Sequence, residues 1–249
     1  MEPVSIYKKN YRVDYGDADF YKRLKLSSLF NFLQDVASSH AENLGLGVVN
    51  LQDAQGVTWV LVKILVSVYR TPAINEEIII ETWPLPPKKL EFERDFILRD
   101  PEGNVLIRAI SSWVIMDIEK REIRKTDLFP SKSVEFKSER AIDGRLAKIR
   151  PNGELQPVYK KVIGYSDIDI NGHLNNSKYI DYITDCFSIE KHGKYTIDSI
   201  QVNYINEAVA GDCIAFFKDI STLESGVVYV EGVSETGDKV YFKACITIK

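Results

Sequence analysis

The pattern of apolar and polar positions divides the chain into two halves with the same plan. In each half, a strand-like stretch is followed by one stretch with helical spacing and then by several more strand-like stretches. One helix followed by antiparallel strands is typical of an α+β fold in which the helix packs against a sheet. We therefore expect two related α+β units.

The first half predicts one long helix and several strands. Apolar residues from Leu26 to Leu44 recur at helical spacing, and Gly45 and Gly47 follow where a helix is expected to end. His40 lies on the apolar face of this helix, so we interpret it as a core histidine rather than a catalyst. The strands predicted in this half are residues 7–15, 58–69, 78–83, 91–98 and 105–118.

The second half repeats this order. Apolar positions after residue 174 predict a helix from about Asn175 to Ile189, and Asn175 and Asn176 are suited to its N-cap. The strands predicted in this half are residues 159–165, 197–205, 212–220, 227–234 and 240–248.

The two halves also match residue by residue. Residues 15–20 align without a gap with residues 165–170, at an offset of 150 positions, so that Asp19 lies opposite Asp169. A match of this kind, extended through the following helix, indicates an internal duplication.

The copies differ where chemistry is expected. Tyr21 lies opposite Asn171, and Arg23 lies opposite His173. The second copy therefore has an asparagine and a histidine at these positions, and the first copy has neither. This asymmetry predicts that the second half is the reactive one.

The candidate site begins with Asp169, Asn171 and His173 at alternate positions. If this segment is extended, the three side chains share one face and could carry a proton and hold a polar group. Glu207, at a predicted strand end, lies opposite Thr71 at an offset of 136 positions. The alternative is structural: a polar strand end before a capped helix, with Glu207 as an exposed turn carboxylate.

Composition narrows the functional classes. The net charge of −4 gives no general basic field for nucleic acid, and no apolar run is long enough for membrane insertion. The N-terminal residues show no secretory pattern, so we expect a cytoplasmic location. The three cysteines are unclustered and fit buried reduced thiols; they are Cys186, Cys213 and Cys245.

A cofactor is not expected from the sequence. One histidine with scattered acids is a poor set of metal ligands, and no glycine-rich phosphate loop precedes a helix. The charged run from Glu119 to Lys125 and the polar stretch after it suggest a solvated connection between domains. We accordingly predict a domain over residues 1–130, a linker over 131–155 and a catalytic domain over 156–249.

The residues from Ser166 to Ile180 resemble the motif of the fatty acyl–acyl carrier protein thioesterases, which is Asp-x-Asp-x-Asn-x-His followed by Val/Leu-Asn-Asn-x-Lys-Tyr. Glu207 matches a glutamate of the same family. The resemblance covers nearly the whole chain. It implies two tandem hotdog domains, each a long helix wrapped by an antiparallel sheet, and hydrolysis of fatty acyl thioesters on acyl carrier protein.

The resemblance also suggests roles for the candidate residues. We expect Asp169 to act with His173 in activating water, with Glu207 tuning or sharing that role, while Asn171 holds the thioester carbonyl or the water. The helix N-terminus near Asn175 and Asn176 would stabilise the oxyanion.

One departure from the family concerns a possible thiol nucleophile. Plant members have a cysteine after the family glutamate, but here the position is Ala208. A cysteine nucleophile is therefore not expected.

An acyl chain needs an apolar tunnel, which we place in the first half because that half is free of catalytic residues. The candidate lining residues, each of which also fits an ordinary core position, are Phe30, Leu33, Trp59, Leu61 and Trp113. The candidate cations for an acidic carrier protein are Lys22, Arg23, Lys25 and Lys178.

Two other functions stay open at this point. One is a hotdog hydratase or dehydratase, which would add water across a carbon–carbon double bond or remove it. The other is a non-catalytic acyl-binding module. The sequence does not determine acyl chain length, the choice between acyl carrier protein and coenzyme A, or whether the chain forms a homodimer.

Overall fold

The computed structural model describes residues 2–125 and 136–249. Close contacts divide the chain into two compact units. The first comprises the residues up to Leu24 together with Asn31–Leu146, and the second comprises Lys25–Phe30 and Ala147–Lys249. The predicted domain limits at 130 and 156 stay predictions, and the predicted linker residues 131–135 lie outside the described part of the chain.

The first unit contains an antiparallel sheet with the strand order β1-β3-β4-β5-β2, and β6 pairs with β5. Its elements are β1 (Tyr7–Arg12), α1 (Leu26–Asn43, of which residues 26–30 are grouped with the second unit), α2 (Val48–Gln55), β2 (Val57–Val68), β3 (Glu77–Pro84), β4 (Phe92–Arg99), β5 (Val105–Asp117) and β6 (Ile123–Arg124). The sequence pattern does not predict α2, because a short helix whose buried residue is Leu51 gives a weak periodic signal.

The second unit contains an antiparallel sheet with the order β7-β9-β10-β11-β8, which repeats the order of the first. Its elements are β7 (Gln156–Val162), α3 (Asn176–Thr184), α4 (Ile189–Lys194), β8 (Ile197–Tyr204), β9 (Cys213–Asp219), β10 (Val227–Ser234) and β11 (Val240–Ile248). The prediction of one helix as far as Ile189 is wrong. The Thr184 hydroxyl donates to the Asp181 carbonyl at 2.8 Å, and the extended Ser188 begins a separate helix.

Each unit packs its helix against its sheet. In the first unit, the ring of Tyr11 on β1 stacks on Phe32 of α1 with centroids 4.6 Å apart. In the second unit, Tyr179 of α3 packs edge-on against Phe242 of β11, at 5.5 Å between centroids. A helix laid on an antiparallel sheet in both units is the α+β double hotdog fold that the sequence predicts.

The duplication is visible in the backbone hydrogen bonds. In the first unit, the N–H of Asp19 donates to Arg23 O at 2.7 Å; in the second, the N–H of Asp169 donates to His173 O at 2.8 Å. Each loop follows a 3-10 turn, at Tyr15–Asp17 and at Tyr165–Asp167. The two copies therefore share one loop geometry.

The loop over residues 165–173 is not extended, which corrects the expectation of three side chains on one face. The N–H of Gly172 donates to Asp169 O at 3.0 Å, and the φ angle of Gly172 is 78°. The Asp169 side chain also accepts the Asn171 N–H at 2.8 Å. These bonds close a tight turn, so the alternation of a strand does not apply.

The charged run Glu119–Lys125 belongs to a hairpin rather than to a connection between domains. Asp117 N–H donates to Glu122 O at 2.9 Å, and Met116 of β5 pairs with Ile123 of β6. The charges nevertheless lie on the surface, as a solvated run should.

Part of the predicted linker is held against the first sheet by a buried carboxylate. Asp95 on β4 is fully buried and accepts the Ala141 N–H at 2.6 Å and Nε of Arg140 at 3.1 Å. Residues near 140 are thus part of the folded first unit rather than a free tether.

In the second unit, the carboxylate of Asp219 holds another part of the predicted linker. Asp219 accepts the N–H groups of Asn152 and Gly153 at 2.7 and 2.6 Å. Burial works against the charged form of Asp219, but hydrogen bonds from Ser221, Gly153 and Asn152 outweigh it and lower its pKa to about 2.

His40 is the core histidine that its position in the sequence predicts. It has no exposed surface, Nε2 donates to Val4 O at 2.8 Å, and Nδ1 accepts from Nη1 of Arg94 at 2.9 Å. This pattern requires the neutral ring. Burial and the neighbouring Arg94 cation lower the pKa of His40 from 6.5 to about 4.

We predict that His40 makes the protein acid-sensitive. Since its folded pKa is depressed, its contribution is complete above pH 6.5 and is lost as the pH falls towards about 4. The interval corresponds to roughly 3 kcal/mol of unfolding free energy. Denaturant unfolding of His40→Gln, which keeps a donor and an acceptor but does not titrate, should show a weaker pH dependence over this interval. Parallel pH curves for the two proteins would contradict the prediction.

A second prediction concerns the left-handed position shared by the two loops. Lys22 has φ 62° and the aligned Gly172 has φ 78°. A Cβ at Gly172 would meet nothing within 4 Å, so Gly172→Ala should cost about 1 kcal/mol through backbone strain alone. Lys22→Gly should instead increase the stability of the fold. Thermal midpoints of both variants test this, and a stabilising Gly172→Ala would refute it.

Candidate active site

The structure brings together His173 and Glu207 in the second unit. Nε2 of His173 lies 3.3 Å from Oε2 of Glu207, and the two side chains are 25% and 33% exposed. His173 comes from the loop before α3 and Glu207 from the turn after β8. The pair is therefore partly shielded but open to a small substrate group.

One backbone hydrogen bond joins the two segments that carry this pair. The N–H of Leu174, next to His173, donates to the carbonyl of Ala208, next to Glu207, at 2.8 Å. Because each bonded residue adjoins a site residue, this contact fixes the separation of the imidazole and the carboxylate.

Asp169 lies in the same loop and supports its backbone. Its Oδ1 accepts the N–H of Asn171 at 2.8 Å and that of His173 at 3.4 Å. In the first unit, the Asp19 carboxylate likewise accepts the Arg23 N–H, at 2.9 Å, and it also forms an ion pair with the Arg23 side chain, with Oδ2 and Nη2 3.1 Å apart. The aligned carboxylates thus share a backbone contact and differ in the guanidinium that the first copy adds.

The remaining motif residues lie close by along the chain. Asn171 is exposed on the loop. Asn175 is the N-cap of α3, as the sequence predicts, and its Oδ1 accepts from the N–H of Ser177 at 2.9 Å. Asn176 is the first residue of α3, and its carbonyl accepts from the Tyr204 hydroxyl at 3.1 Å.

Sequence reasoning missed two residues that shape the site. The Asp167 side chain accepts the Gly164 N–H at 2.8 Å, and its carbonyl accepts the Asn175 N–H at 2.9 Å, so it anchors the loop at both ends. Nζ of Lys239 donates to the Glu207 carbonyl at 2.7 Å. The repeated Asp-x-Asp could have indicated Asp167, but no pattern near the motif indicates Lys239.

The residues predicted to line an acyl tunnel are packed in apolar surroundings. Phe30, Leu33 and Leu61 are buried. Trp59 and Trp113 are partly buried in the cluster that contains Phe92, and Trp59 and Phe92 meet edge-on at 4.8 Å. Ordinary core packing accounts for these contacts, so a tunnel role stays a prediction.

The four candidate cations have different surroundings. Lys22 and Lys25 are exposed. Arg23 is engaged by Asp19, and Lys178 lies 3.5 Å from Asp181. A docking role for these side chains also stays a prediction.

Cys186 has the character of a buried core thiol. Its Sγ donates to Tyr182 O, and burial raises the pKa of the thiol to about 12. A thiol that stays protonated at neutral pH is a poor nucleophile. Ala208, at the position of the plant cysteine, is fully buried.

Residues 2–125 and 136–249 contain neither a cluster of metal ligands nor a membrane-spanning helix. In these ranges, no group of three or more His, Cys, Asp or Glu side chains is arranged to hold a metal ion. No helix there combines the length and apolar character needed to cross a bilayer.

Two family models match most of the chain. The Acyl-ACP thioesterase N-terminal domain matches residues 4–127, and the Acyl-ACP thioesterase C-terminal domain matches residues 158–247. The second match contains the loop with His173 and the turn with Glu207.

Curated relatives are plant proteins. Oleoyl-acyl carrier protein thioesterase 2, chloroplastic, of Arabidopsis thaliana is 27% identical over 234 residues, or 86% of this chain and 63% of that protein. The dodecanoyl-[acyl-carrier-protein] hydrolase of Cinnamomum camphora is 23% identical, over 92% of this chain and 65% of that protein. The chain thus spans a little under two thirds of the length of these relatives.

Solved structures agree with the family models. An acyl-ACP thioesterase from Bacteroides thetaiotaomicron has a TM-score of 0.89 and 26% identity, with 98% of each chain covered. The 12:0-ACP thioesterase from Umbellularia californica has the same fold, with a TM-score of 0.84 at 18% identity over 99% of this chain and 98% of that one. The chain belongs to the acyl-ACP thioesterase family.

Proposed function

We propose that the protein hydrolyses fatty acyl thioesters carried on acyl carrier protein and releases free fatty acids in fatty acid biosynthesis. Membership of the family supports the reaction class, and the names of the relatives support the substrate. The observation that carries the proposal is the contact of 3.3 Å between His173 and Glu207 beside the family motif.

In the proposed reaction, water attacks the thioester carbonyl and its proton passes to the His173–Glu207 pair. The carbonyl π electrons move to oxygen and give a tetrahedral oxyanion. When the carbonyl re-forms, the C–S bond breaks and the thiolate leaves with the proton that His173 returns. The products are a fatty acid and the free thiol of the carrier, so one water accounts for all atoms.

The oxyanion needs donors that are already in place. The Asn171 amide and the N-terminus of α3, which begins at Asn176 behind the Asn175 cap, are the groups we assign to this role. These assignments follow the sequence prediction.

Asp169 has a different role in our proposal from the one the motif alone favours. Its contacts are with the loop amides of Asn171 and His173, and Glu207 is the carboxylate paired with the imidazole. We therefore assign the base to His173 with Glu207, and assign to Asp169 the orientation of the loop.

The remaining parts of the proposal rest on the sequence prediction. We place the acyl chain among Phe30, Leu33, Trp59, Leu61 and Trp113, and the carrier near Lys22, Arg23, Lys25 and Lys178. We also propose a cytoplasmic location and a homodimer.

The function is tested by offering the purified protein acyl carrier protein loaded with saturated or enoyl chains of varied length. Release of free carrier thiol, measured with a thiol reagent, is the expected result. Loss of enoyl absorbance without thiol release would favour a hydratase, and binding without turnover would favour an acyl-binding module. Either outcome contradicts the proposal.

We predict that Glu207→Gln and His173→Ala each lower kcat by roughly 10²-fold or more, because a positioned acid–base group contributes about that much. Thr71→Ala is the matched control, since Thr71 occupies the place of Glu207 in the first copy. It should leave kcat unchanged. Both site variants should stay folded, as judged by circular dichroism, because the two side chains are partly exposed. Near-normal turnover in a folded Glu207→Gln would refute the proposed mechanism.

Two replacements of Asp169 separate an orienting role from proton transfer. Asparagine keeps an oxygen that can accept the loop N–H groups, while alanine removes it. We expect Asp169→Ala to lose at least about tenfold more kcat than Asp169→Asn, since misplacing a reacting group is costly. Equal losses in the two folded variants would show that the charge of Asp169 is needed in the reaction.

A further inference from the structure

The turn that carries Glu207 is anchored in the same way in both copies. The N–H groups of Ile205 and Asn206 donate to Tyr241 O at 2.8 and 3.2 Å. In the first unit, the N–H groups of Tyr69 and Arg70 donate to Leu106 O at 2.9 and 3.1 Å. This common anchoring places Thr71 where the second unit has Glu207, so the copies can be compared position by position.

Lys239 is a point of difference between the two turns. Its Nζ donates to the Glu207 carbonyl at 2.7 Å and lies 4.7 Å from the centre of the Tyr241 ring. Since Tyr241 corresponds to Leu106, Lys239 corresponds to Asn104. The Asn104 side chain instead donates to Oδ2 of Asp100, at 2.9 Å. The lysine contact is therefore found in the copy that has the glutamate.

We infer that Lys239 is a positioning residue that holds Glu207 against His173. Its ammonium group fixes the carbonyl of Glu207 and so restrains the peptide unit between Glu207 and Ala208, and thereby the direction of the carboxylate. The Lys239 side chain does not need to touch substrate. The inference rests on the proposed function.

The first experiment measures kcat and KM for Lys239→Met and Lys239→Arg on acyl carrier protein loaded with a fatty acyl chain. Lys239→Met should lower kcat about tenfold with little change in KM, because a displaced catalytic group slows the reaction without weakening substrate binding. Lys239→Arg, which keeps a donor, should recover most of the loss.

The matched control is Lys243→Met. Lys243 lies on β11, the strand that follows Lys239, at 4.0 Å from Glu231, and has no role in the proposed site. It should leave both constants unchanged. Thermal midpoints show whether each variant is folded.

The second experiment repeats Lys239→Met in a Glu207→Gln background. If Lys239 acts through Glu207, its replacement should add almost nothing to the loss that Glu207→Gln already causes. Multiplicative losses, or normal kcat in Lys239→Met while Glu207→Gln is impaired, would overturn this inference alone. An unimpaired Glu207→Gln would instead overturn the proposed mechanism, so the two failures are distinguishable.

Discussion

The hydrogen bond from Leu174 N–H to Ala208 O is the contact on which the site depends. It ties the loop that presents His173 to the turn that presents Glu207, and these segments are distant in sequence. Other interactions of the site reinforce this junction. Asp169 and Asp167 stiffen the loop side, and Lys239 stiffens the turn side. A pair held at 3.3 Å needs such support, because small displacements remove the benefit of proximity.

The duplication shows how one backbone serves two purposes. Both copies have the 3-10 turn, the left-handed residue and the bond back to the strand-end turn, so the loop geometry does not depend on catalytic side chains. What differs is how charge is used. Arg23 neutralises Asp19 within the first loop, while the aligned His173 turns to a carboxylate from another segment. In the first copy, the arginine and the aspartate of the loop therefore pair with each other. In the second copy, the imidazole–carboxylate pair stays open to substrate.

Buried charged and polar groups also determine what belongs to each unit. Asp95 holds the Ala141 N–H and the Arg140 side chain, and Asp219 holds the N–H groups of Asn152 and Gly153. His40 links α1 to the N-terminal segment and to Arg94 on β4. Such groups cost stability unless they are satisfied, so these segments should fold together with the sheets they contact. This explains why a polar, charge-rich stretch of sequence is not the solvated tether that its composition suggests.

The sequence by itself determined most of the fold. Periodicity and turn residues located the long helix and most of the strands to within a few residues, because these signals come from near neighbours. The offset of 150 positions revealed the duplication, and Asn175 was placed correctly as a helix cap. The short α2 and the break after Thr184 were missed, since neither leaves a strong periodic signal.

The tertiary structure decided the pairing within the site. The motif favoured Asp169 as the partner of His173, but the turn at Gly172 directs Asp169 to the loop amides, and the packing of the β8 turn against the loop brings Glu207 to the imidazole. Lys239 joins the site for the same reason: its contact exists only once the last hairpin has folded beside that turn, and no local pattern encodes it.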